Sequence, residues 1–489
     1  MARAVGAVAL QEDIVRQMRA LGAAGLRQME REVIELSRSA ELTYTQENGR
    51  TEIMPILLAP SVLARGDQRY LHRICRVLMG AFQRTAAARR RGDPELRALL
   101  PLEPAEEEWL ALSPRGAGPV VGRFDMNIDP GRGGARRAAL LELNGCAVGG
   151  IHYGPATSDT VLAQVRSVGA VGGRRLRPSP AMSDVWLEMC RAHARRLGSR
   201  GLSIVWLEDR DWEAGITEGP TLVQRLERMG HPASVCDPRQ LSFRRGQLHR
   251  GRQRVDVVYR GIELRDLLLI EAEDGRLRAL REAVRRGQVL SPIEGDLDHK
   301  SLLEVWSSTR FASRFTPAER AVFRRHVPWT RLLGDRFTDG PDGRRVDLAV
   351  YARRHRARLV LKPNRSCGGE GILIGPDTPA AGWERAIGRA LRGTEPAVVQ
   401  TWIPGATVRS PVLRGSRVEL ERFYTNYGLL ASPRRIGVLG RAAPFPVVNV
   451  SRRLSRGERR LSLLNAETRR PRGTQSRLCD APRLSVSLR

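Results

Sequence analysis

The chain has 489 residues, of which 41% are hydrophobic and 28% charged, with a formal net charge of +29 at pH 7. This composition excludes an intrinsically disordered protein and suffices for two or three folded domains. No apolar run approaches the roughly 18 residues of a membrane span, and the six cysteines form no Cys-x-x-Cys pair, so we expect no membrane segment, no zinc or disulfide framework and a reducing cytoplasm.

The predicted elements begin with helices. Residues 1–114 form a helical N-terminal region, in which the stretch from about 8 to 100 is predicted helical. Within it, apolar side chains recur at spacings of three and four and define one stripe that should be buried. This stripe consists of Leu71, Ile74, Cys75, Leu78, Met79 and Phe82.

Near Pro114 the pattern changes to strands, and residues 115–195 are predicted to contain a metal-binding hairpin. Its strands lie at 119–126 and 138–144, on either side of a segment rich in glycine and proline. Residues 196–295 then alternate strands with helices, which predicts an α/β domain with a partly parallel sheet. The expected strands are 202–207, 233–236 and 255–259, and the expected helix is 221–229.

Residues 296–450 carry the only two lysines of the chain, Lys300 and Lys362. Because every other basic side chain except histidine is arginine, we infer that these two positions need a compact, rotatable ammonium group. The alternative is that two leftover lysines fell there by chance. Lys362 ends an apolar strand and precedes a glycine-rich run, which is an arrangement found at nucleotide-phosphate sites. Residues 451–489 form an arginine-rich tail that we expect to be flexible.

Paired polar residues mark the two hairpin strands. Glu142 and Asn144 lie two apart on one strand, so both side chains project from the same face. Arg123 and Asp125 have the same spacing on the partner strand, and the hairpin can bring the two pairs together. Two carboxylates and an amide oxygen suit Mg²⁺, which prefers oxygen ligands and leaves places for phosphate oxygens. The alternative is a hairpin whose alternating polar residues face solvent, but the glycine loop in the same chain favours a metal site.

The glycine-rich run is neither a Walker A motif nor a Rossmann fingerprint. Without side chains, its backbone N–H groups can approach phosphates closely. Further along, a predicted strand leads into a turn whose backbone groups can pair with the edge of an adenine ring. The run contributes Gly368, Gly369 and Gly371, and the later strand contributes Gln400, Thr401 and Trp402.

Taken together, these motifs resemble those of the ATP-grasp ligases. The metal motif comes before the lysines, an order that resembles the circularly permuted branch that includes the synthetase domain of glutathionylspermidine synthase. The resemblance covers roughly residues 115–450 and implies a circularly permuted ATP-grasp fold of the α+β or α/β class. The matching motifs are Arg123-Phe124-Asp125, Glu142-Leu143-Asn144, Lys300 in the run from Leu297 to Leu303, and Lys362.

The resemblance also implies a role for each motif residue. Lys300 and Lys362 would contact the ATP phosphates and the adenine-side pocket, and Arg123 would stabilise the transferring γ-phosphoryl group. Two features depart from the family pattern: Thr401 replaces a common hinge carboxylate, and residues 451–453 replace a glycine-rich stretch. The remaining assigned positions are Asp125, Glu142 and Asn144 for Mg²⁺, Gly368, Gly369 and Gly371 for a flap, and Arg441 and Asn449 near the phosphates.

The function implied by the resemblance is an ATP- and Mg²⁺-dependent ligase that joins a small-molecule carboxylate to an amine through an acyl phosphate. Two alternatives stay open. The departures from the family pattern suggest a degenerate ATP-grasp scaffold that binds nucleotide or a partner protein without turnover. A nucleic-acid-binding protein is less favoured, because the arginines are spread through every segment instead of forming one basic stripe. The sequence leaves the two substrates and the oligomeric state open.

Overall fold

Helices occupy most of the first 114 residues, as their apolar periodicity predicts. The computed structural model describes residues 2–45, 50–130, 133–167, 176–210, 215–216, 218–275, 277–366 and 369–448, and the predicted tail lies outside this part of the chain. None of the helices in the described residues is long and apolar enough to cross a bilayer. The helices are α1 (Ala2–Ala20), α2 (Gly22–Ser39), α3 (Arg65–Arg90), α4 (Pro94–Leu99), α5 (Pro104–Leu112), α6 (Tyr153–Ser167), α7 (Met182–Arg196), α8 (Glu218–Arg228), α9 (Leu264–Asp274), α10 (Arg278–Arg285), α11 (Leu302–Ser307), α12 (Pro317–His326), α13 (Leu348–Arg354) and α14 (Ala380–Leu391).

Two short strands correct the prediction of continuous helix from 8 to 100. They lie between α2 and α3 and form a hairpin, and the first of them also pairs with a strand more than 160 residues away in sequence, a contact that local periodicity does not encode. The strands of the structure are β1 (Thr43–Thr45), β2 (Thr51–Ile53), β3 (Arg123–Asn127), β4 (Ala139–Asn144), β5 (Ile204–Leu207), β6 (Gly215–Ile216), β7 (Ala233–Cys236), β8 (Leu241–Arg244), β9 (Gln247–Arg250), β10 (Gln253–Arg254), β11 (Val257–Arg260), β12 (Val289–Leu290), β13 (Thr330–Leu332), β14 (Phe337–Asp339), β15 (Arg345–Asp347), β16 (Leu359–Pro363), β17 (Leu373–Ile374), β18 (Ala397–Thr401), β19 (Ala406–Arg414), β20 (Arg417–Ala431) and β21 (Ile436–Ala443).

The predicted hairpin of β3 and β4 is confirmed and belongs to a five-stranded antiparallel sheet. Strand β20 pairs along one edge with β19 and then with β3, and along its other edge with β21. One face of this sheet, with Phe124, Leu143 and Leu429, shares an apolar cluster with the predicted stripe of α3. Side chains alternate between faces along a strand, so the polar residues of the hairpin occupy the opposite face.

The partly parallel sheet predicted for residues 196–295 is also confirmed. Its four strands follow the order β12-β11-β5-β7 and all run parallel. Trp206 and Tyr259 face one apolar cluster, whereas Val205 and Val258 face another. Burial on both faces explains why these strands are continuous apolar runs.

A third sheet, with the order β13-β18-β16-β17, carries the second lysine. Leu359 and Leu361 on β16 pack in an apolar cluster with Trp383 of α14. Because side chains alternate along β16, Lys362 projects from the opposite face of this sheet. That face is turned toward strand β4, where the Lys362 side chain makes its hydrogen bond.

Candidate functional site

The two polar pairs of the hairpin lie side by side, as predicted. Asp125 is directly opposite Glu142, and Arg123 is directly opposite Asn144. All four side chains project from the face of the sheet that lies away from the apolar cluster. The hairpin therefore presents two carboxylates, an amide and a guanidinium group on one surface.

Asp125 is the most buried residue of this surface, with 1% of its side chain exposed. Its carboxylate accepts hydrogen bonds from Arg123 at 2.7 and 3.0 Å and from Arg441 on β21 at 2.6 Å. Burial acts to raise the pKa of Asp125, but the two guanidinium groups outweigh it and hold the pKa at about 2. Gly428 is opposite Asp125 on β20, and a Cβ there would lie 2.7 Å from Cδ of Arg123, so this glycine makes room for the arginine.

Lys362 reaches the hairpin at an irregularity in its pairing. Between Asp125 and the next residue the register shifts, and Leu141 on β4 has no partner on β3. Such a bulge leaves a backbone group outside the regular ladder, and the Leu141 carbonyl accepts a hydrogen bond from Lys362 Nζ at 3.1 Å. Burial lowers the pKa of Lys362 to about 8, while the negative charges of Glu142 and Asp125 partly offset this effect.

Lys300 also lies beside Glu142. Its ammonium group donates to the Ser366 carbonyl at 2.6 Å and lies 3.5 Å from the Glu142 carboxylate. Its positive charge also contributes to the lowered pKa of Lys362. The two lysines and the hairpin carboxylates thus converge, although they are far apart in sequence.

Close backbone contact fixes the hairpin against the loop that carries Lys300. A Cβ on Gly145 would come within 2.2 Å of the Gly295 carbonyl oxygen, so only glycine allows this approach. Asp298 accepts a hydrogen bond from the Gly145 N–H at 2.7 Å, and burial raises the pKa of Asp298 to about 7. These contacts set the distance between Lys300 and Glu142.

Several polar atoms on this surface have no hydrogen-bond partner among the described residues. They are Nδ2 of Asn144, Nε of Arg441 and Oδ1 of Asn426, all buried. Asn426 pairs directly with Arg441 across β20 and β21, and therefore shares its face. Buried polar atoms normally find partners, so these three are available for a ligand. Sequence reasoning missed Asn426 because its position opposite Arg441 depends on the β20–β21 register.

The donor set fits a hard cation only in part. Glu142 and Asn144 supply a carboxylate and an amide oxygen, which suit Mg²⁺ when substrate phosphates complete its shell. Both oxygens of Asp125 already accept arginine hydrogen bonds, so its role as a ligand stays a prediction. Across the described residues, no three His, Cys, Asp or Glu side chains are grouped so that they could hold a metal by themselves.

The glycine loop and the hinge are described in part. Gly369 and Gly371 have φ of +73° and +68°, which favours glycine, whereas Gly368 and Asn449 lie outside the described residues. The Gln400 side chain is buried and donates to Oγ1 of Thr330, its partner on the neighbouring strand, at 2.9 Å. The backbone N–H groups of Thr401 and Trp402 both donate to carbonyl oxygens of the protein, so adenine binding at this hinge stays a prediction.

Comparisons with known proteins agree with this architecture. The chain is similar to a glutathione synthetase-like effector from Globodera pallida in its apo form, with a TM-score of 0.59 and 13% identity over 86% of this chain and 94% of that chain. A RimK-domain ATP-grasp protein from Sphaerobacter thermophilus matches with a TM-score of 0.25 and 14% identity, over 48% of this chain and 89% of that chain, and that likeness is too weak to argue from. No protein-family model matches the sequence, and a search of curated proteins finds no relative.

The chain has an ATP-grasp-like fold, which confirms the fold class predicted from the motifs. At this level of identity the likeness concerns the fold alone. The circular permutation inferred from the order of the motifs stays a prediction, as do the roles of the individual site residues.

Proposed function

We propose that this protein is an ATP- and Mg²⁺-dependent ligase that joins a small-molecule carboxylate to an amine. The observation that carries the proposal is the convergence of Lys300 and Lys362 on the strand that bears Glu142. The two ammonium groups can neutralise charge on the phosphate oxygens of ATP, and the carboxylate beside them can hold Mg²⁺. The ATP-grasp-like fold supports the same conclusion.

The reaction would proceed in two steps. A carboxylate oxygen of the first substrate attacks the γ-phosphorus of ATP, ADP leaves, and an acyl phosphate forms. The amine then attacks the acyl carbon, inorganic phosphate leaves, and the amine loses a proton as the amide forms. Both steps demand alignment and charge neutralisation more than covalent chemistry by the protein.

Different residues of this chain would align the substrates and neutralise the charge. Lys300 and Lys362 would bind the phosphate oxygens, because both ammonium groups lie on the same surface and can exchange a carbonyl partner for a phosphate. Arg123 and Arg441 would stabilise the charge that develops on the transferring phosphoryl group, held in place by Asp125.

The remaining groups would hold the metal and exclude water. Glu142 and Asn144, with Asp125 beside them, would hold Mg²⁺, which when bound neutralises charge on the phosphate oxygens. The glycine-rich segment with Gly369 and Gly371 would cover the phosphates and keep water from the acyl phosphate.

Nucleotide binding and turnover test the proposal directly. We expect MgATP to raise the melting temperature of the intact protein, and ADP release to depend on both a carboxylate and an amine drawn from a panel of amino acids, peptides and polyamines. Lys362→Ala should abolish both effects, whereas Arg354→Ala, on an exposed position of α13, should leave them intact. Failure of the wild-type protein to bind MgATP would exclude the ligase.

A scaffold without turnover is the second candidate. The observation that favours it is the hinge, where the N–H groups of Thr401 and Trp402 are already occupied by protein carbonyls. Such a protein would bind MgATP with a shifted melting temperature but release no ADP with any pair of substrates. ADP release that rises with substrate concentration would exclude it.

A further inference from the structure

A buried ion pair connects the N-terminal helical region to the candidate site. Glu106, in the first turn of α5, is 1% exposed and accepts hydrogen bonds from Arg365 at 2.6 and 2.8 Å. Arg365 follows Lys362 by three residues and precedes the glycine-rich run. A carboxylate buried this deeply needs a charged partner, and a bidentate pair fixes both position and orientation. The pair is therefore a rigid link between α5 and the start of that run.

The residues on either side of Arg365 hold Lys300. The Ser366 carbonyl accepts a hydrogen bond from Lys300 Nζ at 2.6 Å. The Asn364 carbonyl accepts from the Lys300 N–H at 3.0 Å, and its side-chain oxygen accepts from the Ser301 N–H at 2.8 Å. A shift of Arg365 would thus move both the backbone and the ammonium group of Lys300.

We propose that Glu106 is a positioning residue for nucleotide binding. Through Arg365 it holds residues 364–366, and these residues hold Lys300 where a phosphate group can reach it. The N-terminal helical region is then part of the nucleotide-binding machinery. This inference rests on the proposed function, since it assigns a role within the same site.

The neighbouring residue on α5 provides a matched control. Glu107 accepts hydrogen bonds from Arg89 at 2.6 and 3.1 Å, so it forms a pair of the same geometry. Arg89 is 1% exposed and also donates to the Leu100 carbonyl, within the helical region itself. Removing this pair tests stability alone, whereas removing the Glu106–Arg365 pair tests stability together with the position of Lys300.

The experiment compares Glu106→Gln with Glu107→Gln in the full-length chain. Glutamine at position 106 can keep the hydrogen bond from the Glu103 N–H that caps α5, so the substitution removes charge with little loss of helix capping. Calorimetric titration with Mg²⁺ and a non-hydrolysable ATP analogue should show Glu106→Gln weakening binding by about tenfold, a change that corresponds to about 1.4 kcal/mol. Glu107→Gln should bind the nucleotide analogue within about twofold of wild type. Its melting temperature should fall less than that of Glu106→Gln, because the Glu107 side chain is 40% exposed and the Glu106 side chain 1%.

A second single variant, Arg365→Lys, keeps the inference testable if Glu106→Gln folds poorly. Arg365→Lys keeps the charge but loses the bidentate geometry, and should weaken nucleotide binding by several-fold. Combining Arg365→Lys with Glu106→Gln should weaken binding no more than the stronger single change, because both act through one contact. Equal binding by wild type and Glu106→Gln, or equal losses for Glu106→Gln and Glu107→Gln, overturns the inference alone. A wild-type chain that binds no nucleotide overturns the proposed function, and this inference with it.

Discussion

The positive charges of the candidate site come from two regions, in which the buried charged groups have different hydrogen-bond partners. On the antiparallel sheet, Arg123 and Arg441 share the carboxylate of Asp125 at hydrogen-bond distance. On the small sheet, Lys362 is equally buried but donates to a backbone carbonyl. In the first region the two guanidinium groups outweigh burial and hold the pKa of Asp125 at about 2, whereas in the second region burial lowers the pKa of Lys362 to about 8.

The two arginines therefore have a carboxylate as hydrogen-bond partner, whereas the Lys362 ammonium group has a neutral backbone carbonyl. In this arginine cluster, Arg123 and Arg441 share the Asp125 carboxylate, which holds both guanidinium groups in place whether or not a ligand is bound. Nε of Arg441, which has no partner among the described residues, stays available to a ligand. Among the described residues, Lys362 has no carboxylate at hydrogen-bond distance, and a phosphate group would supply a counter-charge. We therefore expect the cluster to contribute to stability and Lys362 to contribute to binding at the expense of stability.

Breaking the cluster should have the largest effect. Asp125→Ala leaves two guanidinium groups buried without their carboxylate, and loss of one partner from a buried pair costs about 3–5 kcal/mol. Urea unfolding should show this loss, and ADP release should disappear because Arg123 and Arg441 are no longer aligned. As a control, Glu384→Ala removes an exposed ion pair with Arg353 and should cost less than about 1 kcal/mol. Similar losses for both variants would contradict the view that the cluster stabilises the fold.

Lys362→Met should have the opposite effect on stability. Because the folded pKa of about 8 lies below the ordinary value of 10.5, the unfolded chain binds more protons between these pH values, and the free energy of unfolding should rise with pH across this window. Methionine removes this dependence, so at pH 7 the variant should be more stable by about 3 kcal/mol, at roughly 1.4 kcal/mol per pKa unit. Nucleotide binding should be lost at the same time.

Urea unfolding of both proteins from pH 7 to pH 10 checks this prediction. The difference in stability between Lys362→Met and wild type should shrink as the pH rises through 8. A variant that is less stable than wild type at pH 7 would show that the ammonium group already has an adequate partner in the fold, and the contrast between the two regions would fail.

How much the sequence predicts also differs between these regions. The alternating polar pairs specified the β3–β4 hairpin and its shared face, because strand periodicity places Glu142 and Asn144 together without tertiary information. The rarity of lysine singled out Lys300 and Lys362, and the structure brings both to that hairpin. Patterns with a short period, or with an unusual residue type, were therefore sufficient to select residues that lie together in the structure, and their roles stay predictions.

What the sequence did not predict depends on contacts between distant segments. Glu106 is 259 residues from Arg365, and no local pattern distinguishes it from Glu107 beside it. The Leu141 carbonyl is available to Lys362 only because of a register shift, which the sequence does not mark. The Gln400 side chain donates to Thr330 Oγ1, a contact that depends on the pairing of β13 with β18. Register and tertiary packing decide each of these cases.

The smallest expected effect concerns Asp298, which joins the Lys300 loop to the β3–β4 hairpin by accepting a hydrogen bond from the Gly145 N–H. Burial raises its folded pKa to about 7, above the ordinary value of 3.8, so its contribution to stability is fully present below pH 3.8 and is lost as the pH rises through 7. Asp298→Asn keeps an oxygen that can accept from the Gly145 N–H but cannot ionise. The variant should therefore gain stability relative to wild type between pH 4 and 7, by about 1–2 kcal/mol, because the partly exposed side chain keeps some hydration.

The comparison with Asp377→Asn separates this effect from a general change in charge. Asp377 is exposed and distant in sequence from the lysine loop, so Asp377→Asn removes one negative charge without touching a buried carboxyl group. Urea unfolding at pH 4, 5, 6 and 7 measures both variants against wild type. If the stability of Asp298→Asn relative to Asp377→Asn does not change between pH 4 and 7, the Asp298 carboxyl group ionises freely in the folded state. The junction between the hairpin and the Lys300 loop would then be open to water. In that case the burial that lowers the pKa of Lys362 would not extend to the Lys300 loop.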